Sequence, residues 1–511
     1  MKTLALGFIV LMLGIFTACG GGSMSSTNPS PPPPPPTLNA SITVDNTKNG
    51  PFNLAMSTSF QPAEWDDTFF QDFPNATTPL GNLLPHHIRL QGISQGVPQT
   101  TTSSWNFTVL DAITQPVLGV GDHSPEFQVA KAPAYMYTNN DANSYTDKFL
   151  DPTYGTFAAY AANLVRYYNT GGFTSFDNAF HMSPAYPNEK IKWWGIYNEP
   201  SINNFTTQTS QTPDLDYTTM YNKVVPAMQG VDPNINFVAL ELCCSSENWV
   251  QTFAANVTAQ VDAVATHYYS ICAPASDFTD AQVFRTVSGF ATSIQTIYGY
   301  LSANAALSSV PVWVTENNVN ADFDVGGGIS ACTGKGFVLD QRGSSPFFAA
   351  WRPYVFSQVG RAGAQALYHW DFGADRQYGE MNASTAQLQL SYWVDYWLGQ
   401  MFPAGSGQLL LGSSNSDTTD IEVLPVENAD GSIVVMISNH AVASPTDNNG
   451  AGLTADISLD TSALGSFTSA SELIIDSSTN ASTGPSPVSV SPASPIKLSL
   501  NGYSVAFLKL Q

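Results

Sequence analysis

The sequence predicts an α/β protein, a (β/α)8 barrel followed by a β-sandwich, and three observations support this fold class. Between residues 50 and 402, short apolar runs alternate with longer helical patterns, as in parallel strands joined by helices. Eight such runs occur in this region, the number that closes a barrel of this type. From residue 403 onward, short strand-like runs are separated by Gly, Asn, Asp and Ser, which is typical of an all-β domain.

The eight candidate barrel strands are rich in apolar and β-branched residues. In chain order they are FNLAMS, HHIRLQG, EFQVAKA, IKWWGIYNEP, INFVALE, VDAVATHYY, PVWVTEN and AQALYHW. Helical patterns such as PTYGTFAAYAANLVRYY and YTTMYNKVVPAMQ lie between them. We therefore expect residues 50–402 to form the barrel.

The second domain, residues 403–511, is expected to be a β-sandwich. Its clearest local signal is NADGS between two strand-like runs, which indicates a hairpin. The segment LNASITVDNT, within residues 38–49, has the same alternating pattern and is a candidate strand of this sandwich, although it precedes the barrel.

The N-terminus predicts export. Lys2 precedes an apolar run that is shorter than the roughly 20 residues needed to cross a bilayer, so residues 1–18 have the character of a signal peptide. Cys19 follows small residues in FTACG, which resembles the lipobox of bacterial lipoproteins. Cleavage near Ala18 without lipidation is the alternative. Residues 19–37 contain Gly, Ser and six consecutive Pro, which suits a tether. We expect a lipid-anchored protein of the bacterial cell envelope, at the outer membrane, or an extracellular protein.

The charge of the chain argues against one class of partner. The 511 residues include 17 Lys and Arg against 40 Asp and Glu, giving a net charge of −23. Nucleic acid is therefore not an expected partner, because phosphate binding requires clustered cations.

Four further cysteines, Cys243, Cys244, Cys272 and Cys332, are candidates for disulfide bonds in an exported protein. The adjacent pair is not expected to bond to itself, and the connectivity stays open. Their spacing does not match a zinc site, so no metal is expected.

Two carboxylates stand where a barrel places its catalytic groups. Glu199 ends the fourth candidate strand and Glu316 ends the seventh, and catalytic side chains of such barrels sit at the C-terminal ends of strands. Two carboxylates that face one cavity are the groups that catalyse glycoside hydrolysis, and this reaction requires no cofactor.

The motifs around these carboxylates resemble the clan A retaining glycoside hydrolases, and most closely glycoside hydrolase family 39, which includes β-xylosidases and α-L-iduronidases. The resemblance is carried by KWWGIYNEPS, VPVWVTENN and WNFTVLDAI. It implies that Glu199 is the general acid/base and Glu316 the nucleophile. TENN departs from the usual continuation after the nucleophile, so the substrate is not carried over.

Two more residues are assigned on the fourth and second strands. The resemblance implies that Asn198 hydrogen-bonds the sugar 2-hydroxyl, a contact that strengthens in the transition state. Arg89, in HHIRLQG, is the candidate cation that keeps Glu316 ionised.

The sixth and eighth strands complete the expected substrate pocket. Side chains alternate along a strand, so His267 and Tyr269 share one face of THYYS while Tyr268 takes the other. We expect His267 to line the pocket, and we favour Tyr269 over Tyr268 as the hydroxyl that touches the nucleophile. Trp370, in YHWDF, resembles the aromatic platform under the sugar that is cleaved.

These features predict a retaining enzyme that cleaves β-glycosidic bonds in plant or microbial polysaccharides or oligosaccharides. A carbohydrate-binding lipoprotein with an inactive barrel is the alternative from another class, although both carboxylates are present. A transglycosylase would use the same two carboxylates while excluding water.

If Cys19 carries a lipid, the mature wild-type protein should partition into detergent, and Cys19→Ala should release it or leave it unprocessed. Phase separation of cell fractions measures this directly. A wild-type protein that is wholly soluble outside the cell would rule out the anchor.

Overall fold

The computed structural model describes residues 36–61, 68–83, 86–91, 97–120, 124–138, 148–202, 212–243, 246–405 and 407–511. Within these residues, the eight expected strands form a closed parallel barrel. The barrel strands are β2 (Ala55–Phe60), β3 (Ile88–Leu90), β4 (Glu126–Val129), β7 (Trp193–Ile196), β8 (Asn236–Leu242), β9 (Ala263–Ile271), β10 (Val312–Asn320) and β11 (Ala366–His369). They pair in chain order, and β11 closes the ring against β2.

The connections between the barrel strands contain helices and two short pairs of strands. The helices are α1 (Phe69–Asp72), α2 (Thr77–Asn82), α3 (Thr108–Leu118), α4 (Gly155–Asn169), α5 (Pro213–Gln229), α6 (Asn248–Asn256), α7 (Asp280–Ser302), α8 (Pro346–Arg361) and α9 (Leu390–Met401). β5 (Phe173–Thr174) and β6 (Phe180–His181) pair as an antiparallel hairpin, whereas β12 (Gly373–Ala374) and β13 (Met381–Asn382) are two short strands that pair in parallel.

Local sequence signals fix where the longer helices begin. Thr279 and Gln282 form a reciprocal capping box at the start of α7. Ser345 caps α8 by accepting a hydrogen bond from the Phe347 N–H, and a proline occupies the first helical position.

The inside of the barrel is divided into an aromatic layer and a polar layer. Near the N-terminal ends of the strands, His87 lies 4.5 Å from Trp313 and 5.3 Å from Trp193 between ring centroids, and it stacks on Tyr368. Toward the C-terminal ends, charged and amide side chains replace this filling, although such interiors are usually apolar. The polar layer is where the candidate site begins.

The expected β-sandwich is a nine-stranded curled sheet that encloses its own apolar core. Its strands are β1 (Leu38–Pro51), β14 (Leu409–Asn415), β15 (Ile421–Glu427), β16 (Ile433–Asn439), β17 (Ala455–Asp460), β18 (Ala470–Ile475), β19 (Val488–Val490), β20 (Ile496–Leu500) and β21 (Ser504–Leu510). β1, which precedes the barrel in the chain, lies between β14 and β17. Its alternate residues Ala40, Ile42 and Val44 point into the core.

Helix α8 packs the barrel against the sheet. Its Arg361 donates to the Val423 carbonyl at 2.8 Å, and Ser438 donates to the Ala350 carbonyl at 2.7 Å. At the start of α7, the Asp280 carboxylate accepts backbone N–H groups from the loop after β16. The sheet therefore holds two of the barrel's outer helices.

A disulfide bond joins Cys272, after β9, to Cys332, in the long loop after β10, with 5.5 Å between the Cα atoms. Cys19 and Cys244 lie outside the described residues, as do the predicted signal peptide and most of the tether. In the part of the chain that is described, no helix is long and apolar enough to cross a membrane.

Replacing Cys272 and Cys332 together by Ser should lower the free energy of unfolding by about 2–4 kcal/mol, because the bond closes a loop of 60 residues. Thermal unfolding of the two proteins measures the effect as a fall of several degrees in melting temperature. An unchanged melting temperature would show that the bond does not constrain the unfolded chain.

Candidate active site

The C-terminal ends of the barrel strands bring Glu199 and Glu316 together. Glu199 follows β7 and Glu316 lies in β10. One oxygen of each carboxylate and one ring nitrogen of His267 all lie within 4.8 Å of one another. The two candidate catalytic carboxylates therefore face the same cavity.

Glu316 is held by one donor on each oxygen. Arg89 Nη1 donates to Oε1 at 2.9 Å, and the Tyr269 hydroxyl donates to Oε2 at 2.8 Å. His267 Nδ1 is 3.4 Å from Oε2. Burial raises the pKa of Glu316 above its ordinary value, although the positive charges of His267 and Arg89 act in the opposite direction. The carboxylate is fixed in orientation and deeply desolvated.

Glu199 is more open than Glu316, with a side chain that is 15% exposed against 6%. His267 Nδ1 lies 2.9 Å from Glu199 Oε1. Burial acts to lower the pKa of His267, but the charge of Glu316, the hydrogen bond to Glu199 and the nearby Glu241 carboxylate, 3.9 Å away, outweigh it and raise the pKa to about 9. His267 is therefore an imidazolium at neutral pH and donates to Glu199.

Arg89 is the most highly connected side chain of the site. It is completely buried, and burial acts to lower its pKa, but the surrounding carboxylates outweigh this and raise it. Its donors reach Glu241 Oε2 at 2.8 Å, Gln91 Oε1 at 2.9 Å, Glu316 Oε1 at 2.9 Å and Asn198 Oδ1 at 3.0 Å. The guanidinium thus ties the nucleophile candidate to three other groups.

Asn198 has its amide oriented by two donors. Its Oδ1 accepts from Arg89 Nη2 at 3.0 Å and from Gln128 Nε2 at 2.9 Å. Because both contacts are to the oxygen, they fix which way the amide group points.

The two tyrosines of β9 point in opposite directions, as alternation along a strand requires. Tyr269 contacts Glu316, whereas the Tyr268 hydroxyl lies 2.6 Å from Thr286 and its ring stacks on Phe290 at 4.2 Å. Of the two, it is the favoured Tyr269 that reaches the candidate nucleophile.

Trp370 lies beside the candidate site, directly after β11. It is 6% exposed and packs in a small cluster with Ala374, Tyr378 and Tyr269. The Arg89 guanidinium carbon lies 5.9 Å from the centre of its ring. All seven residues selected from the sequence therefore belong to one connected cluster.

The two asparagines of the TENN motif, which follow Glu316, make hydrogen bonds to the neighbouring strands. Asn317 donates to the Tyr268 carbonyl at 2.7 Å, and Asn318 donates to the Trp370 carbonyl at 2.6 Å. Arg352 in turn donates to Asn317. These amides tie β10 to β9 and β11 directly behind the cavity.

The acid of β8 and two polar residues of β4 are not among the residues predicted from the sequence. Glu241, Glu126 and Gln128 are all fully buried within the barrel. Gly195 makes room for them, since a Cβ there would overlap Glu241 Oε1 and lie 3.0 Å from Glu126 Oε1. The signal for Glu241 was available, because it follows the apolar run NFVAL much as Glu199 follows its own strand.

Two clusters have donor atoms spaced for a metal ion, and in both the histidine contacts carboxylates. In the cluster of Glu199, His267 and Glu316, His267 Nδ1 lies 2.9 Å from Glu199 Oε1 and 3.4 Å from Glu316 Oε2. In the cluster of His369, Glu380 and Asp395, His369 lies 2.6 Å from Asp395 Oδ2 through Nδ1 and 2.6 Å from a backbone carbonyl through Nε2. Both ring nitrogens of His369 therefore face oxygen atoms of the protein.

No family model matches the sequence, and no curated protein matches it. Solved structures do match the fold. They include a monomeric β-xylosidase from Caulobacter crescentus CB15, with a TM-score of 0.63 and 15% identity, covering 93% of this chain and 99% of that one. They also include a GH51 arabinofuranosidase from Xanthomonas axonopodis pv. citri, with a TM-score of 0.61 and 11% identity over 93% and 100% of the two chains.

A GH39 β-xylosidase from Caulobacter crescentus matches with a TM-score of 0.57 and 15% identity over 92% of this chain and 99% of that one. The structural neighbours are glycoside hydrolases of clan A, so the expected likeness is confirmed at the level of fold. They come from more than one family, and family 39 is not singled out.

Gly195→Ala should destabilise the protein by about 1–3 kcal/mol, because its Cβ would displace Glu241 in a filled interior. Gly289→Ala is the matched control, since that glycine is exposed in α7 with open space around its Cβ position. The control should stabilise the protein by about 0.5–1 kcal/mol through helix propensity. Chemical unfolding measures the free energy of unfolding of both variants. An unchanged free energy of unfolding in Gly195→Ala would contradict the close approach of Glu241 to Gly195.

Proposed function

We propose that this protein is a retaining glycoside hydrolase that cleaves β-glycosidic bonds in plant or microbial polysaccharides or oligosaccharides. The observation that carries the proposal is the approach of the Glu199 and Glu316 carboxylates to within 4.8 Å at their nearest oxygens. Retaining enzymes hold their two carboxyl groups about 5–5.5 Å apart, whereas inverting enzymes leave room for a water between them. The glycoside hydrolase neighbours support the same reaction class.

Glu316 is the nucleophile in this proposal. It attacks the anomeric carbon as the leaving-group oxygen departs, and an ester bond forms between the sugar and the carboxylate. Arg89 and Tyr269 hold the two oxygens, so the attacking lone pair is aimed before substrate arrives.

Glu199 is the general acid and then the general base. In the first step its proton goes to the leaving-group oxygen; in the second step the resulting carboxylate takes a proton from the water that attacks the anomeric carbon. The greater exposure of Glu199 supports this role, because both the leaving group and the water must reach it.

Asn198, His267 and Trp370 bind the sugar in this scheme. Asn198 hydrogen-bonds the 2-hydroxyl with an amide whose orientation Arg89 and Gln128 fix. His267 lines the pocket between the two carboxylates, and Trp370 supplies an apolar face for the ring of the sugar that is cleaved.

We also propose that the enzyme acts at the bacterial cell envelope, held through lipid on Cys19, or outside the cell. The support is the sequence of residues 1–37, with its apolar leader, FTACG motif and proline-rich tether. A polysaccharide substrate is too large to be met inside the cell in intact form, which agrees with export.

Azide rescue separates the two roles. In Glu199→Ala, an activated aryl glycoside should still form the glycosyl-enzyme. This intermediate should accumulate because no general base activates the water. Azide, which needs no base, should restore turnover and give a β-glycosyl azide. In Glu316→Ala, azide should instead replace the nucleophile and give the α-azide. On the natural substrate, the rate of Glu199→Ala should fall by at least about 10²–10⁴-fold, which is the usual contribution of general acid–base catalysis.

The measurement is product analysis across a panel of aryl β-glycosides, with each variant compared with wild type. Exchanged azide products would mean that the two roles are exchanged. Full activity in either variant would remove that residue from the mechanism. A wild type that cleaves none of the panel or of the intact polysaccharides would overturn the proposed function.

A further inference from the structure

We propose that Glu241, which no part of the scheme above uses, is the positioning residue of this site, and that it acts as a carboxylate which holds Arg89 and His267 around the nucleophile. The inference rests on the proposed function and deepens it. Its test is designed to fail separately from that function.

Glu241 contacts both halves of the catalytic pair through different groups. Its backbone carbonyl accepts the Glu199 N–H at 3.1 Å. Its carboxylate Oε2 accepts from Arg89 Nε at 2.8 Å and lies 2.6 Å from Arg89 Nη2, and His267 Nε2 is 3.9 Å away. Arg89 then donates to Glu316, so Glu241 fixes the cation that orients the nucleophile.

The backbone at the end of β8 is bent to deliver this carboxylate. Leu240 and Glu241 have φ angles of 76° and 43°, a left-handed conformation that residues with a side chain rarely adopt. Tyr217 stabilises the bend, because its hydroxyl accepts the Leu240 N–H at 2.6 Å and donates to the Ile196 carbonyl of β7 at 2.9 Å. Strained backbone of this kind concentrates at functional sites.

Two buried carboxyls share this part of the barrel, and their partners differ in charge. Glu241 has the Arg89 guanidinium, whereas Glu126 Oε2 accepts from the neutral Tyr368 hydroxyl at 2.9 Å. Within the described residues, no donor reaches Oε1 of either carboxyl, and both oxygens lie against Gly195. One cation beside one of two neighbouring carboxyls localises the negative charge on that carboxyl and the proton on the other.

The ionisation of the pair follows the same division. Burial and the charge of Glu241 raise the pKa of Glu126 to about 8. Burial acts to raise the pKa of Glu241 as well, but Arg89 and His267 outweigh it and lower that pKa. At neutral pH, Glu126 is therefore a neutral acid and Glu241 a carboxylate.

Several titratable or charged groups face Glu241 from the neighbouring elements. They are Arg89 on β3, Glu126 on β4, Glu199 after β7, His267 on β9, Glu316 on β10, Tyr368 on β11 and Tyr217 on α5.

Glu241→Gln keeps the size of the side chain and removes its charge. His267 then loses one of the groups that stabilise its imidazolium, so its pKa should fall by about one unit or more. The pKa of Glu316 should fall as well, because the whole charge of Arg89 becomes available to it. The acid limb of the kcat/KM profile, which requires ionised Glu316, should therefore move to lower pH.

Glu126→Gln is the matched control, because a neutral amide replaces what is already a neutral acid. Its acid limb should coincide with that of wild type, and its effect on the pKa of His267 should be less than half that of Glu241→Gln. Equal shifts in the two variants, or no shift in Glu241→Gln, would overturn the inference.

The pKa of His267 is measured by NMR titration of histidine-labelled protein, with the signal assigned by its loss in His267→Asn. This readout needs no substrate. If the pKa of His267 shifts in Glu241→Gln but the wild type cleaves no glycoside, the positioning role stands and the proposed function is wrong. If the wild type is active but the pKa does not shift, the proposed function stands and the positioning role is wrong.

If Glu241→Gln does not fold, Glu241→Asp supplies the test. It keeps the negative charge in this part of the barrel but shortens the side chain by one methylene group, which breaks the close contacts of Oε2 to Arg89 and changes the longer 3.9 Å approach to His267 less. The pKa of His267 should stay within half a unit of wild type while kcat falls at least tenfold. Wild-type kcat in Glu241→Asp would overturn the positioning role.

Discussion

The buried guanidinium of Arg89 is the interaction on which the site depends. A charge this deep in a protein is tolerated only when it is paired and hydrogen-bonded, and Arg89 meets that condition through Glu241, Glu316, Gln91 and Asn198. Because the guanidinium is planar and its donors have fixed directions, these partners are fixed relative to one another. One side chain thus holds polar groups from the ends of several barrel strands in fixed relative positions.

The barrel gives up part of its apolar filling to accommodate this arrangement. Glycine at position 195 opens space between β4 and β8 that two acids occupy, and the bend at Leu240 turns the Glu241 carboxylate inward. Aromatic packing nearer the N-terminal ends, centred on His87 and Trp313, compensates by filling the rest of the interior. The aromatic packing and the candidate site therefore occupy different layers of the same barrel.

Most of the fold could be predicted because each barrel strand is a distinct apolar run bounded by polar residues, and its helices have clear periodicity. Glu199 and Glu316 could be predicted from one rule, that catalytic groups follow strand ends. The same rule applies to Glu241, which ends the candidate strand INFVALE, but the sequence does not predict the positive φ angles of Leu240 and Glu241. Glu126 escaped the rule because it precedes the apolar residues of its strand, where a solvated carboxylate is the ordinary expectation.

The charges of the site also account for the position of His267 in the proposed reaction. The proposed reaction starts with Glu316 as the carboxylate and Glu199 as the acid, beside the cations Arg89 and His267. In the glycosyl-enzyme, Glu316 is a neutral ester and Glu199 has become the carboxylate, so the total charge is unchanged but one negative charge has moved. His267 Nδ1 lies 2.9 Å from Glu199 and 3.4 Å from Glu316, within reach of both ends of that movement. A cation fixed between the two carboxylates stabilises whichever of them is charged without having to rearrange, which is how preorganised electrostatics lowers a barrier.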